Sequence, residues 1–588
     1  MKNAKSKVYS AAVVRDEEKI FAAFDTETQG LGGKLLAISA HVMGQTFYWS
    51  GPDMVRDFVN LFLTYPSPVV WYAHNAQYDW RYIIPYLIEH EYCVDLGMRT
   101  DSDIYQVIVR HEKKKFIMRD SFALFSSPPV SLKQLLKQFA PELPKLEIDI
   151  ENFDPQNPEH IEYSKRDAQG LAVALPRVDA MLKRLFSVGI GHTAAGTAVN
   201  AWCRTLPENT YFNSSAWNER ELFIRQAYYG GLVFLTRTDK LASKDENPVC
   251  ETFDVNSSYP SVMRDYGVPT GRALQSRNYE TGKMGIYRVR IKTPDDLIVP
   301  IIPCRGKRGN MQWRKGTFDT VCTSSELIFA CQHGYKVLNL YEGFYFENVE
   351  FPFNDFIAKC QGIRKAYKKK PEEALAKLMQ NSLYGKFGSK RERLKIFHPT
   401  SEADMMGAEP LNGMDYFWFK KELDESMRCL PQWATFITSH ARLKILQAVY
   451  SVGVENAIYG DTDSITVLHG HSQSINVGED YGQFKLEKEW KQFRAIAPKV
   501  YAGRLMDGTY LGAAKGVSSR AMREHPEKWG ELLECGKTDA QALSLASLRV
   551  ALQTGLPPAK LLRRVSTNIE NSSNWNVENH RVSPKMAA

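Results

Sequence analysis

At 588 residues, 44% of them apolar and 24% charged, the chain has the length of several domains and the composition of a globular enzyme. No run approaches the ~18–20 uncharged apolar residues of a membrane-spanning helix. The opening MKNAKSKVYSAAVVRDEEKI has basic residues but no apolar centre, so no secretory signal is expected.

The nine cysteines, at 93, 203, 250, 304, 322, 331, 360, 429 and 535, include no C-x-x-C pair. Neither a zinc module nor a disulfide framework is indicated, and a reducing, cytoplasmic setting is expected. The net charge is +8, and residues 1–200 hold 22 Lys/Arg against 24 Asp/Glu, so the basic excess lies downstream. A basic body suits phosphate-backbone binding. Charge alone fits a generally basic soluble protein equally well.

In chain order, Ile20–Phe24 is an apolar run that predicts a buried strand ending in carboxylates. Another such run, Pro68–Ala73, ends at HNAQYDW. Apolar spacing predicts helices over Ser131–Phe139 and after Ile161, so residues 1–190 are expected to form an α/β domain of their own. A loop-rich stretch, Gly189–Ser215, leads to QAYYGGLVF and then to the strand-like FDVNSSYP. Gly, Pro and short apolar runs between Met263 and Phe351 predict a small inserted β-rich unit. Two helices are expected from Phe353 to Phe387, broken at Lys368–Pro371, because proline favours a new first turn. A less regular patch, Ser389–Pro431, precedes a helix around Ile437–Tyr450 and a strand–turn–strand in NAIYGDTDSITVL. The tail from Asn568, rich in Asn and Ser, is expected to be loose.

Two sets of carboxylates carry the chemistry. In FDTET, Asp25 and Glu27 alternate along a strand end and point to one face. Neighbouring acids repel each other unless a cation sits between them. Asp79 and Asp167 could complete a four-acid set, with Tyr163 one helical turn before Asp167. Such a set can hold two metals ~4 Å apart and activate water for attack on a phosphodiester. Each piece alone is more often a capping or solvated group.

The second set is Asp254 in FDVNSSYPS, with Tyr259 five residues on, and Asp461 and Asp463 at the hairpin tip YGDTDSI, expected on one face of the strand. Turn chemistry would explain one such Asp but not two between apolar strands. In KLMQNSLYGKFG, Lys377, Asn381 and Tyr384 share a helical face that could bind a nucleotide. Arg364 and Lys365 add positive charge on the preceding helix, whereas Lys368–Lys370 are expected to be a solvated helix-hairpin tip. Phosphoryl transfer needs mainly positioning and charge neutralisation.

Together these segments resemble the family B DNA polymerases: three exonuclease motifs and the polymerase motifs occur in the family's order across residues 20–515. The resemblance implies an α+β, multi-domain protein, with a ribonuclease-H-like 3′→5′ exonuclease domain followed by a right-hand polymerase of palm, fingers and thumb. It assigns Asp25, Glu27, Asp79 and Asp167 as exonuclease metal ligands or their support, Tyr163 to the attacking water, and Lys145 as a catalytic lysine. Thr28, His74, Asn75, Tyr78, Ser121 and Phe122 fall where the family grips the frayed strand. In the polymerase site it assigns Asp254 and Asp463 to the metals, with Asp461 beside them. Lys377, Asn381 and Tyr384 would take the incoming nucleotide, Lys365 the triphosphate, and Tyr259 the gate against a ribose 2′-hydroxyl. Lys499 and Tyr501 match the K-x-Y that steadies the primer terminus, and Tyr228, Gly230 and Gly231 belong to a DNA-binding YYGG.

Short length, YYGG and long gaps between motifs are similar to the phage-type, protein-primed subgroup. The domains expected on that basis are exonuclease 1–190, palm 191–264 and 431–495, fingers 353–388, and thumb with tail 496–588. Residues 265–352 would dock a terminal protein, and 389–430 would aid strand displacement. Implied cofactors are two Mg²⁺ per site, with Mn²⁺ able to substitute. Implied partners are primer-template DNA, dNTPs and a terminal protein primer, with no membrane, for a monomer in the cytoplasm (a bacterial host's, if phage-encoded). Ser258, Tyr78 and Phe122 depart from the family's usual Leu, Phe and Leu. Rival readings are a polymerase primed by nucleic acid, an exonuclease with an inactive DNA-binding polymerase half, and a non-enzymatic replication scaffold.

Overall fold

The computed structural model describes residues 8–10, 18–100, 103–125, 129–210, 212–213, 219–307, 309–389, 392–397, 405–410, 418–423, 429–515 and 527–569. The chain divides into two units, each woven from three separate segments. The first comprises residues 1–214, 355–429 and 543–563, and the second 215–354, 430–542 and 564–588. Among the described residues no helix is long and apolar enough to cross a membrane. Much of the 389–430 stretch and the tail beyond Ile569 lie outside the described residues.

The first unit is built on a ten-stranded sheet in which Ile20–Thr28, third from one edge, is parallel to Val69–Ala73, which is parallel in turn to Lys114–Asp120. Ile20–Phe24 and Val69–Ala73 are near-continuous apolar runs because helices cover the sheet there. Phe58, Phe62 and Trp71 form an edge-to-face aromatic cluster in the core, each ring contributing about 1.5–3 kcal/mol by burial. The 29-residue helix Pro158–Phe186 starts at an Asn157 cap with proline in its first turn and ends at left-handed Ser187. Leu132–Phe139 starts with a Ser131–Gln134 capping box.

Residues 1–190 do not complete this unit alone. Glu392–Phe397 pairs antiparallel with Cys93–Thr100 and, with Trp418–Leu423 and Ala408–Pro410, prolongs the same sheet. From near the other end of the chain, Leu548 and Leu552 enter its core, and the Arg81 guanidinium donates to the Ala546 carbonyl at 2.6 Å. Local pattern could not reveal either addition, because an irregular polar stretch becomes strand only when an edge is offered to it. The helices Asn354–Ala366 and Pro371–Phe387 occupy the two predicted positions, with exposed lysines at 368–370 between them.

The second unit has an antiparallel sheet in the order Val233–Leu235, Ala457–Asp461, Ser464–Leu468, Cys250–Val255, Phe484–Ala497, Val500–Leu505, Tyr510–Ala514. Residues 265–352 form a four-stranded sheet and the helix Ser324–Gln332, but not a separate unit. Their Tyr287, Ile302 and Trp313 share one core with Phe253, Ile465 and Leu446.

A fully buried ion pair fixes this arrangement. Arg442, on the helix Pro431–Val452, donates to Glu326 Oε1 at 3.0 and 2.5 Å, and both side chains are 0% exposed. Its remaining N–H groups donate to the carbonyls of Tyr229 and Gly230, at 3.0 and 2.8 Å. Glu326 in turn closes a capping box with Thr323. Removing one partner leaves a buried charge unpaired. Glu326→Ala is therefore expected to lose about 3–5 kcal/mol, read as a lower urea midpoint. Glu326→Gln, which keeps an oxygen for the guanidinium, should lose less.

Candidate active sites

In the first unit the strand Ile20–Thr28 carries Asp25 and Glu27, Asp79 stands before the helix Trp80–Glu89, and Asp167 lies on Pro158–Phe186. Thr26 binds Asp79 Oδ1 through its N–H at 3.1 Å and its hydroxyl at 2.6 Å, fastening strand to helix. Burial, then Glu27, Asp79 and Asp167, raise the Asp25 pKa well above its ordinary value. Burial, with Asp167 next, pushes Glu27 up to about 8. Burial pushes Asp79 up to about 7 against its hydrogen bonds from Thr26, and Asp167 is also raised by burial against the pull of Lys145.

The counter-charge present is Lys145. Its ammonium is paired with Asp167, donates to the Tyr163 hydroxyl at 3.1 Å and lies 4.6 Å from that ring's centroid. Burial opposes its charge, but Asp167 and Asp25 outweigh burial and raise its pKa. One ammonium does not balance four acids. Glu27 Oε1 and Asp167 Oδ1 find no hydrogen-bond partner among the described residues, although both are buried. Among the described residues no group of three or more His, Cys, Asp or Glu side chains is arranged to hold a metal ion as it stands. An all-oxygen donor set with two orphaned carboxylate oxygens nevertheless fits a hard divalent cation.

Two of the residues expected to grip a strand, Asn75 and Phe122, meet at one unforeseen group. The N–H groups of Asn75 and Phe122 both donate to Asp120 Oδ1, at 3.0 and 2.9 Å, so one buried carboxylate fixes both turns. Asn75 is left-handed, with φ 68°. Burial pushes His74 down to about 4, so it is neutral between Ser121 Oγ and the Val130 carbonyl, both at 3.0 Å. In sequence Asp120 was legible only as an Asp two residues before a turn N–H.

In the second unit, Asp254 lies opposite Ser464, and the Val255 N–H donates to the Asp463 carbonyl at 2.8 Å. Asp254 and Asp463 therefore sit at adjoining backbone positions. Asp461 ends its strand, but Asp463 does not share that strand's face as expected: Thr462 and Asp463 form the two-residue turn. Thr462 is left-handed, with φ 62°, and its N–H donates to the Leu232 carbonyl at 2.8 Å. A Cβ on Gly231 would meet the Thr462 side chain at 2.8 Å, so this tip approaches YYGG only because glycine stands there.

Burial, then Asp461, raises the Asp463 pKa. Lys499 pairs with Asp461 at 2.9 and 3.2 Å, and its N–H donates to the Tyr459 hydroxyl at 3.1 Å. A cavity of about 430 Å³ opens beside them, lined by Asp461, Asp463, Lys488, Trp490, Lys499 and Tyr501. Tyr259 lies in the first turn of the helix Ser258–Asp265, which follows left-handed Ser257, and Tyr228 lies close enough for Tyr259 to raise its pKa further, after burial. On the helix Pro371–Phe387 of the first unit, Lys377, Asn381 and Tyr384 lie on the less buried side, opposite Leu375, Met379 and Leu383. Lys365 is exposed on the preceding helix.

Residues 63–170 and 156–416 match the family described as DNA polymerase type B, organellar and viral. The chain belongs to that family. This type B chain is 26% identical to a DNA polymerase of Bacillus phage M2, over 73% of its own length and 77% of the relative's. It is 27% identical to a probable DNA polymerase of Neurospora intermedia, over 48% of its own length. It spans 31% of that fungal relative. Its fold matches Phi29 DNA polymerase complexed with primer-template DNA and incoming nucleotide substrates, at a TM-score of 0.71 and 19% identity, covering 94% of this chain and 100% of the other. The type B chain therefore has the α+β fold of an exonuclease domain with palm, fingers and thumb.

Because the first carboxylate set holds protons when folded that it would release when unfolded, the folded state loses stability as pH rises from about 4 to about 8. With chelator present, Asp25→Asn with Glu27→Gln should raise Tm at pH 8 and change it little at pH 5. Millimolar Mg²⁺ should raise the wild-type Tm at pH 8 but not that of the double variant. Equal effects at both pH values would contradict this electrostatic account.

Proposed function

We propose that this chain is a template-directed DNA polymerase with its own 3′→5′ proofreading exonuclease. The observation that carries the reading is the presence of two separate carboxylate sets, one in each unit and each held by a lysine. A binding scaffold would need neither, and a nuclease with an inactive polymerase half would not need Asp254 brought beside the Asp461–Asp463 hairpin.

A divalent cation pair at each set, Mg²⁺ by its preference for oxygen, would supply charge neutralisation for phosphoryl transfer. Asp25, Glu27, Asp79 and Asp167 hold it in the exonuclease, and Asp254 and Asp463 in the polymerase, with Asp461 beside them. In the exonuclease, Tyr163 and Lys145 orient the attacking water, and Thr28, His74, Asn75, Tyr78, Ser121 and Phe122 hold the single strand. In synthesis the primer 3′-hydroxyl attacks the α-phosphate of a dNTP and pyrophosphate leaves. Lys365, Lys377, Asn381 and Tyr384 bind the nucleotide, Tyr259 rejects a ribose 2′-hydroxyl, and Lys499, Tyr501 and the YYGG segment steady the primer-template. Contacts to phosphates make these grips sequence-tolerant.

We infer protein priming as well. The 265–352 sheet leaves Val337 and Leu338 exposed, at 41% and 53%, on its longest strand, which suits docking of a terminal protein. Strand displacement is assigned to residues 389–430, and the remaining assignments follow the ranges given above. The working setting is the cytoplasm, a bacterial host's if the gene is a phage's.

Asp463→Ala should abolish primer extension and spare degradation of single strands. Asp25→Ala with Glu27→Ala should do the reverse. Loss of both activities in either variant would sink the two-site reading.

A further inference from the structure

The Ile20–Thr28 strand turns into Leu35–Val42 through Gln29–Lys34, closed by the Gln29 N–H donating to the Lys34 carbonyl at 2.9 Å. The turn GLGG is permissive: Gly30 and Gly32 are left-handed, with φ 64° and 73°, and Leu31 at its tip is 44% exposed. A loop so rich in glycine is intrinsically mobile unless something holds it.

Two tyrosines hold it. The Thr28 hydroxyl donates to the Gly30 carbonyl at 2.8 Å, which leaves Thr28 Oγ1 to accept from the Tyr78 hydroxyl at 2.5 Å. The Tyr78 oxygen then accepts the Gly32 N–H at 3.2 Å. One turn on, the Tyr82 hydroxyl donates to the Gly33 carbonyl at 3.0 Å. Tyr78 directly precedes Asp79, so the chain Gly32–Tyr78–Thr28–Gly30 ties the loop to the segment that carries a catalytic carboxylate. A phenylalanine at 78 would fill the same space and supply neither the bond to Thr28 nor the acceptor for the Gly32 N–H.

We propose that the Tyr78 hydroxyl is a positioning group of the exonuclease: it fixes Thr28 and the Leu31 tip as one rigid edge of the cleft for a single-stranded 3′ end. This rests on the exonuclease reading above. The ring can serve the strand directly, while the hydroxyl acts through Thr28 and the loop and touches no reacting atom. It lowers the ordering cost of binding, so it acts on strand capture rather than on hydrolysis.

The test compares wild type, Tyr78→Phe, Thr28→Val and the double variant, in the full-length protein, on a short single-stranded oligothymidylate with Mg²⁺. Losing the Tyr78 bonds to Thr28 and Gly32 should raise KM by about three- to tenfold and leave kcat within about twofold. Thr28→Val should add little to Tyr78→Phe, because both break one chain of bonds. Hydrogen exchange at the amides of Gly32 and Gly33 should quicken in Tyr78→Phe. An unchanged KM, a fall in kcat alone, or independent effects of the two substitutions would overturn the proposal. If wild type degrades no more than Asp25→Ala, the exonuclease reading itself has failed. Exchange then decides the loop: equal rates in wild type and Tyr78→Phe would overturn the clamp on its own.

Discussion

The structure depends on one electrostatic constraint: carboxylates can be gathered in a low-dielectric interior only if something compensates their repulsion. In the first unit four acids share a largely buried place, and among the described residues one ammonium, Lys145, faces them and two of their oxygens find no donor. That is an unstable arrangement for a fold and a useful one for phosphate chemistry. The surrounding structure resists its relaxation. Thr26 pins Asp79, Lys145 pins Asp167, and a long capped helix keeps Tyr163 and Asp167 on one face. Strain of this kind at a site is sustained by the core around it.

The second unit meets the same constraint differently. Its acids are less enclosed and stand at a hairpin tip, where Lys499 pairs with Asp461 and left-handed Thr462 turns Asp463 beside Asp254. The tip is then held from behind. Gly231 lets it approach YYGG, and Arg442 and Glu326 anchor YYGG from within the core. Because Glu326 belongs to residues 265–352, that segment helps hold YYGG, and through it the hairpin tip, in place.

Short-range pattern carried much of this. Asp25 and Glu27 were legible because a strand has period two, and Lys377, Asn381 and Tyr384 because a helix has period 3.6. The other acids, lysines and tyrosines were named from motifs that resemble those of the family. What pattern could not carry was long-range. Nothing local says that Glu392–Phe397 will extend a sheet begun at residue 20, or that Leu548 will pack against the helix Trp80–Glu89. Asp120, Glu326 and Arg442 were missed because a buried polar residue is defined by partners far along the chain. Asp463 was misplaced onto a strand face because turn type, not alternation, decides its direction.

The most direct test of the central claim is extension of a primed single-stranded circle by the protein alone, with Mg²⁺ and dNTPs and with Asp463→Ala as control. The account predicts products much longer than the circle for wild type and none for the variant. Degradation of the primer with no extension by wild type would contradict it.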